Sequence, residues 1–137
     1  MKVVLDTNVV LDLLLDRVPH AEAAAQVFSQ IEKGLLAACV CATTITTLHY
    51  VAEKTVGDAA AREHLTQLLH LVEVAPVTRS VVEHALVSPM ADFEDAVLAH
   101  AAAMSGAEAV ITRNGRDFHG GPLRVFSPAQ WLAADSA

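Results

Sequence analysis

Apolar residues along this chain fall into short runs and helical spacings that alternate, with no long uninterrupted apolar span. Val3-Val4-Leu5 is a continuous apolar triplet, the pattern of a strand covered on both faces in a parallel sheet. It stops abruptly at Asp6-Thr7-Asn8, and residues 9–15 read as a short, largely buried helix beginning near Asn8. Pro19 suits the first turn of a second helix, where its missing donor is not needed. Ala23, Val27 and Ile31 give that helix an apolar face and Gly34 closes it. Residues 35–40 form the next expected strand.

Thr43 and Thr44 are cap candidates for a helix carrying Ile45, Leu48, Val51 and Ala52 as far as Gly57. Asp58 is expected to cap another, with Leu65, Leu68, Leu69 and Val72 facing inward. Residues 72–77 nearly alternate and predict a strand; Thr78 or Ser80 opens a helix over 81–87, which Ser88-Pro89 breaks. An Ala-rich helix follows Asp92-Phe93-Glu94-Asp95 and ends at Ser105-Gly106. A short buried strand at 109–112 runs into Arg113-Asn114-Gly115-Arg116-Asp117, Gly120-Gly121-Pro122 turns the chain, and 123–126 is a last strand. Ser127-Pro128 places a cap and a first-turn proline in the expected order. Strands alternating with helices throughout predict an α/β fold, a three-layer αβα sandwich around a mainly parallel sheet. No repeat, linker or low-complexity stretch divides the 137 residues, so one domain spanning 1–137 is expected.

Composition sharpens this picture. A hydrophobic content of 53% against 18% charged residues supports a packed globule. No apolar run approaches the roughly 18 residues that cross a bilayer. An acid interrupts the N-terminal run almost at once, unlike a signal peptide, so a cytoplasmic location with no membrane partner is expected. Cys39 and Cys41 are read as pointing to opposite faces of a strand, with no disulfide or shared zinc. The net charge of −7 excludes an indiscriminate polyanion binder, although acids gathered around cations would invert their own field locally.

Acids stand where strands end or helices begin: Asp6, the Asp92/Glu94/Asp95 group and Asp117. In open α/β sheets the carboxyl edge is where ligands collect, but Asp6 and Asp92 are equally suited to capping helices. Asp92 and Asp95, three apart, project to one side of a helix, and Glu94 is expected to point elsewhere. Converging carboxylates repel one another unless protons or cations intervene. Hard divalent ions, Mg²⁺ or Mn²⁺, take oxygen ligands, orient water and offset charge on a phosphate. Phosphodiester hydrolysis uses those abilities most directly. Other chemistries lack their parts: there is no P-loop, no G-x-G-x-x-G, no G-x-S-x-G elbow and no H-E-x-x-H. The seven histidines are scattered and read as structural or surface side chains.

Four segments together resemble the PIN domain, in its VapC-like toxin branch: Val3-Val4-Leu5-Asp6-Thr7-Asn8-Val9, Ala42-Thr43-Thr44-Ile45-Thr46, Asp92-Phe93-Glu94-Asp95-Ala96, and Ile111-Thr112-Arg113-Asn114-Gly115-Arg116-Asp117-Phe118. The resemblance implies a metal-dependent endoribonuclease in which Asp6, Asp95 and Asp117 ligate Mg²⁺ or Mn²⁺. Thr7, Asn8 and Thr44 would support the site, as would Thr112 and Asn114, while Arg113 or Arg116 would position substrate phosphate. It further implies an RNA substrate, a homodimer and a cognate antitoxin whose C-terminal segment lies over the site. Many PIN domains carry a Glu just inside the helix after the second strand; here Thr47 stands at that position. Asp92 is therefore expected to serve as a substitute catalytic acid. An inactive PIN-like module that binds RNA or a partner is the competing reading, and a metal-dependent DNA nuclease a third.

Overall fold

The computed structural model describes residues 1–136, and side chains as far as Ala134. Five strands form one sheet in the order β3-β2-β1-β4-β5, every neighbouring pair parallel. They are β1 (Lys2–Leu5), β2 (Ala37–Cys41), β3 (Glu73–Ala75), β4 (Ala109–Ile111) and β5 (Arg124–Phe126). Seven α-helices are found among the described residues: α1 (Thr7–Leu14), α2 (Ala21–Glu32), α3 (Ala42–Val56), α4 (Asp58–Leu69), α5 (Arg79–Leu86), α6 (Phe93–Met104) and α7 (Pro128–Ser136). A 3-10 turn, Gly115–Phe118, lies between β4 and β5.

The apolar triplet explains the three layers. Val3 and Leu5 pack with Val9, Val27, Phe28, Leu48 and Leu68 from α1 to α4, and Trp131 of α7 packs against this side. Val4, between them, faces the opposite way and packs with Val81 and Ala85 of α5 and with the alanines of α6. Side chains alternate across a strand, so a central strand needs apolar residues at every position. Ala96, Ala99, Ala101 and Ala102 are all but fully buried; their small side chains suit a helix face laid directly on the sheet. The αβα prediction holds. Among the described residues no helix is long and apolar enough to cross a membrane.

Several local expectations are corrected. Cys39 and Cys41 share a face, both buried as free thiols in the core on the α5–α6 side, as residues two apart on a strand must. The second strand starts at Ala37, leaving Leu35 75% exposed. The third helix begins at Ala42, ahead of Thr43 and Thr44. Thr44 is instead buried, its Oγ1 accepting from Thr7 Oγ1 at 3.5 Å. Asp58 lies inside the first turn of α4, paired with Arg62 and His49, behind Gly57 at φ +85°, a conformation suited to glycine. Leu69 is exposed. At α5 the cap is Thr78, whose Oγ1 accepts from Val81 N, and Ser127 and Gln130 form a reciprocal capping box at α7.

Candidate functional site

β1 and β4 are neighbours in the middle of the sheet, with Leu5 opposite Ile111. β1 leads to β2 on one side while β4 lies on the other, so their carboxyl ends flank the point where strand order reverses. The next residue on each chain is therefore at the mouth of a crevice: Asp6 after β1, Thr112 after β4. Asp6 N donates to Ile111 O at 3.0 Å, extending the pairing by one residue. Thr112 Oγ1 donates to Asp6 Oδ2 at 2.7 Å, and Asn8 Nδ2 donates to the same oxygen at 3.1 Å. Thr7 N donates to Oδ1 at 2.8 Å, so Asp6 is also the cap of α1. One oxygen thus serves the cap, the other accepts from Thr112 and Asn8, and the residue also lines the cleft. Burial raises the Asp6 pKa above the ordinary carboxylate range, opposed by the hydrogen bonds from Thr112, Thr7 and Asn8.

Asp95 arrives from the opposite face. Asp92 caps α6, its Oδ1 accepting from Asp95 N at 2.9 Å, and this fixes Asp95 in the first turn. No hydrogen bond to its carboxylate is found among the described residues. Burial is the largest influence on it, followed by the charges of Asp6, Asp92, Asp117 and Glu94, and together they push its pKa up to about 7. Asp117 is exposed on the 3-10 turn, its N donating to Asn114 O. That turn is secured in its own right, since Asn114 N donates to Thr112 Oγ1. One threonine hydroxyl thus joins Asp6 to the segment that carries Asp117.

An open cleft of about 430 Å³ brings Asp6, Asp92, Asp95 and Asp117 together with Thr7, Asn8, Arg113 and Asn114. Thr47 also lines it, and no acid from α3 does so among the described residues. Glu94 lines the cleft too, contrary to expectation: at the N-terminus of a helix that opens onto the cleft, neighbouring positions still face the mouth. Thr44 and Thr112 act from behind the wall. Arg116, on the same turn as Asp117, is exposed and outside the lining.

Two residues of the site escaped the sequence reading. Asp12 is 1% exposed and receives Arg113 through Nε at 2.6 Å and Nη2 at 3.2 Å. Arg17 Nε lies 3.1 Å from Oδ1, the oxygen that also accepts from Arg113 Nη2, as a charge contact without a hydrogen bond. Arg113 N in turn donates to Asn8 Oδ1. The available signal was an acid inside the apolar stretch 9–15, because a buried charge demands a partner.

The donors facing the cleft are all hard oxygens, which fits a hard divalent cation. Among the described residues, however, no three His, Cys, Asp or Glu side chains are gathered closely enough to hold a metal ion as they stand. The carboxylates line a shared opening and remain apart.

A PIN-domain family model matches residues 2–116. No curated protein matches the chain by sequence. Among solved structures, VapBC2 from Rickettsia felis bound to a promoter DNA fragment is similar at a TM-score of 0.73 and 14% identity, covering 93% of this chain and 98% of that one. A toxin–antitoxin complex from Klebsiella pneumoniae aligns at 0.68 and 22%, covering 92% and 97%. VapC20 of Mycobacterium tuberculosis, described as a sarcin-ricin loop cleaving toxin, aligns at 0.68 and 16%, covering 87% and 95%.

Proposed function

The chain belongs to the PIN-domain family, and from that premise we propose that it is a metal-dependent endoribonuclease acting as the toxin of a toxin–antitoxin pair. The observation that carries the reading is the convergence of Asp6, Asp92, Asp95 and Asp117 on one open cleft at the carboxyl edge of the sheet, where burial and the charges of the other acids raise the Asp95 pKa to about 7. A carboxyl placed among like charges without a donor calls for a counter-charge, and a proton or a cation is what can supply it.

In this reading Asp6, Asp95 and Asp117 hold Mg²⁺ or Mn²⁺. Bound there, the cation supplies an activated water and offsets charge on the phosphate under attack. The chain's own groups do the rest. Thr112 and Asn8 fix the direction in which Asp6 presents its free lone pairs. Asp92 steadies the first turn of α6 and adds a further acid at the mouth. Arg113, oriented by Asp12, brings a cation to the rim, where RNA phosphates approach. An antitoxin partner is supported by relatives that are toxin–antitoxin complexes; homodimerisation and a cytoplasmic location complete the proposal.

The test is cleavage of total cellular RNA and structured RNA by the purified chain with and without Mn²⁺, beside Asp6→Asn. Asparagine removes the charge and still caps α1 through one oxygen, although it cannot also accept from Thr112 and Asn8, so the unfolding of the variant is measured beside its activity. The expected loss is about 100-fold or more. Thr47 in the cleft wall, where an acid is expected, favours a second reading: a PIN module that binds RNA without cutting it. Binding without metal-dependent cleavage of any RNA would establish that one.

A further inference from the structure

We propose that Phe93, with the threonine-lined hollow beside it, is a subsite for an unpaired nucleobase adjoining the bond to be cut; this rests on the reading of the acid cleft as the site of RNA cleavage. Phe93 is the first residue of α6, two positions before Asp95, and is 51% exposed. A large apolar side chain left open between Asp92 and Glu94, two positions from Asp95, is not explained by packing. It borders a hollow of about 370 Å³ lined also by Thr43, Thr46, Thr47, Glu94 and Val97. Thr47 and Glu94 line the acid cleft as well, so the two spaces adjoin along a shared wall.

The chemistry of this hollow selects a base over a phosphate. It has no Lys or Arg in its lining, and Glu94 repels an anion. Phe93 and Val97 offer an aromatic face and an aliphatic floor, on which any base can stack. Thr46 and Thr47 each donate to Thr43 O, at 3.0 and 3.5 Å. Their hydroxyl oxygens keep lone pairs for accepting the N–H of a base edge. On the other side the cleft shares Arg113 with a second hollow. There the guanidinium, oriented by Asp12, brings the positive charge that the threonine-lined hollow lacks. With the cation of the proposed function bound, a strand crossing the carboxyl edge of the sheet would thus place a phosphate at the acid cleft, beside Arg113, and the neighbouring base on Phe93.

The probe is short single-stranded RNA carrying 2-aminopurine at successive positions, whose fluorescence is quenched on stacking. Binding is read with Asp6→Asn, so the readout does not depend on cleavage. Quenching is expected at one position, lost in Phe93→Ala and kept in Phe93→Trp. In the chain with Asp6 intact, Phe93→Ala should raise KM about 10-fold with kcat little changed. Phe93-dependent quenching without metal-dependent cleavage would uphold the subsite and sink the nuclease reading. Cleavage with KM unchanged in Phe93→Ala, and no position quenched, would overturn the subsite and leave the nuclease reading standing. A fall in sedimentation mass in Phe93→Ala, with RNA binding unaltered, would assign the ring to a second copy of the chain and equally overturn it.

Discussion

Behind the cleft, Asp12 is almost completely buried and held between two arginines, one by a two-pronged hydrogen bond. In the cleft wall, Asp95 is half-buried among other acids and receives no donor among the described residues. Asp6 stands between these extremes, compensated by three neutral donors. All three acids lie within one small region, so their contrast is one of purpose. A buried charge that serves the fold is neutralised by the fold. A charge left uncompensated costs stability and is kept where a ligand will meet it. Removing the first should therefore weaken the protein, and removing the second should strengthen it.

The largest effect is expected at Asp12. Asp12→Ala breaks the link between α1 and the segment after β4 and leaves two guanidinium groups without their acid. Both arginines keep some exposure, at 30% and 39% of their side chains, and can turn towards water. The expected cost is accordingly about 2–3 kcal/mol, below the roughly 3–5 kcal/mol of breaking a fully buried pair. Urea unfolding measures it. A change within about 0.5 kcal/mol would mean that the ion pair is structurally idle and would remove one side of the contrast.

Asp95→Asn should move stability the other way. The folded pKa, about 7, lies above the ordinary 3.8. Between those values the folded chain keeps a proton that the unfolded chain has released, so stability declines as pH rises through that window and stays lower above it. Asparagine removes the decline. With no added metal, and discounted for solvent reaching a half-buried group, the variant should be more stable by about 1–2 kcal/mol at pH 8. The two proteins should converge near pH 4. Thermal melts at the two pH values decide it, and equal melting at pH 8 would show that Asp95 is already compensated.

These contrasts also mark what could be read from residues alone. The fold class was legible, though the strand order was not: an apolar triplet ending in acid, and a second short apolar run ending in Thr112, announce buried parallel strands with polar carboxyl ends, but nothing in the two runs says that they are neighbours. Asp6, Asp92, Asp95 and Asp117 were each visible as acids at element ends. Which acids are compensated was not visible, because that depends on pairs such as Asp12 with Arg113 that lie far apart in sequence and meet across α1 and the end of β4. Glu94 was misjudged for a related reason. Helical periodicity assigns faces along a helix, but at its first turn the chain is entering from a loop and the face rule loosens. The place of Thr44 behind the wall, joined to Thr7, likewise needs α1 and α3 side by side.

The smallest effect on stability, and the most discriminating for the site, is expected at Asp92. Its Oδ1 already caps α6 through Asp95 N, and capping alone would explain an acid there. Asparagine caps about as well as aspartate, so Asp92→Asn should change unfolding free energy by less than about 0.5 kcal/mol. The charge at the mouth is nevertheless gone. If Asp92 stands in for the acid absent at Thr47, Mn²⁺ affinity should fall by about 10-fold, measured by titration calorimetry. Unchanged affinity with unchanged stability would confine Asp92 to its cap. The cation would then rest on Asp6, Asp95 and Asp117 alone, and Asp92 would belong with Asp12 among the acids that the fold keeps for itself.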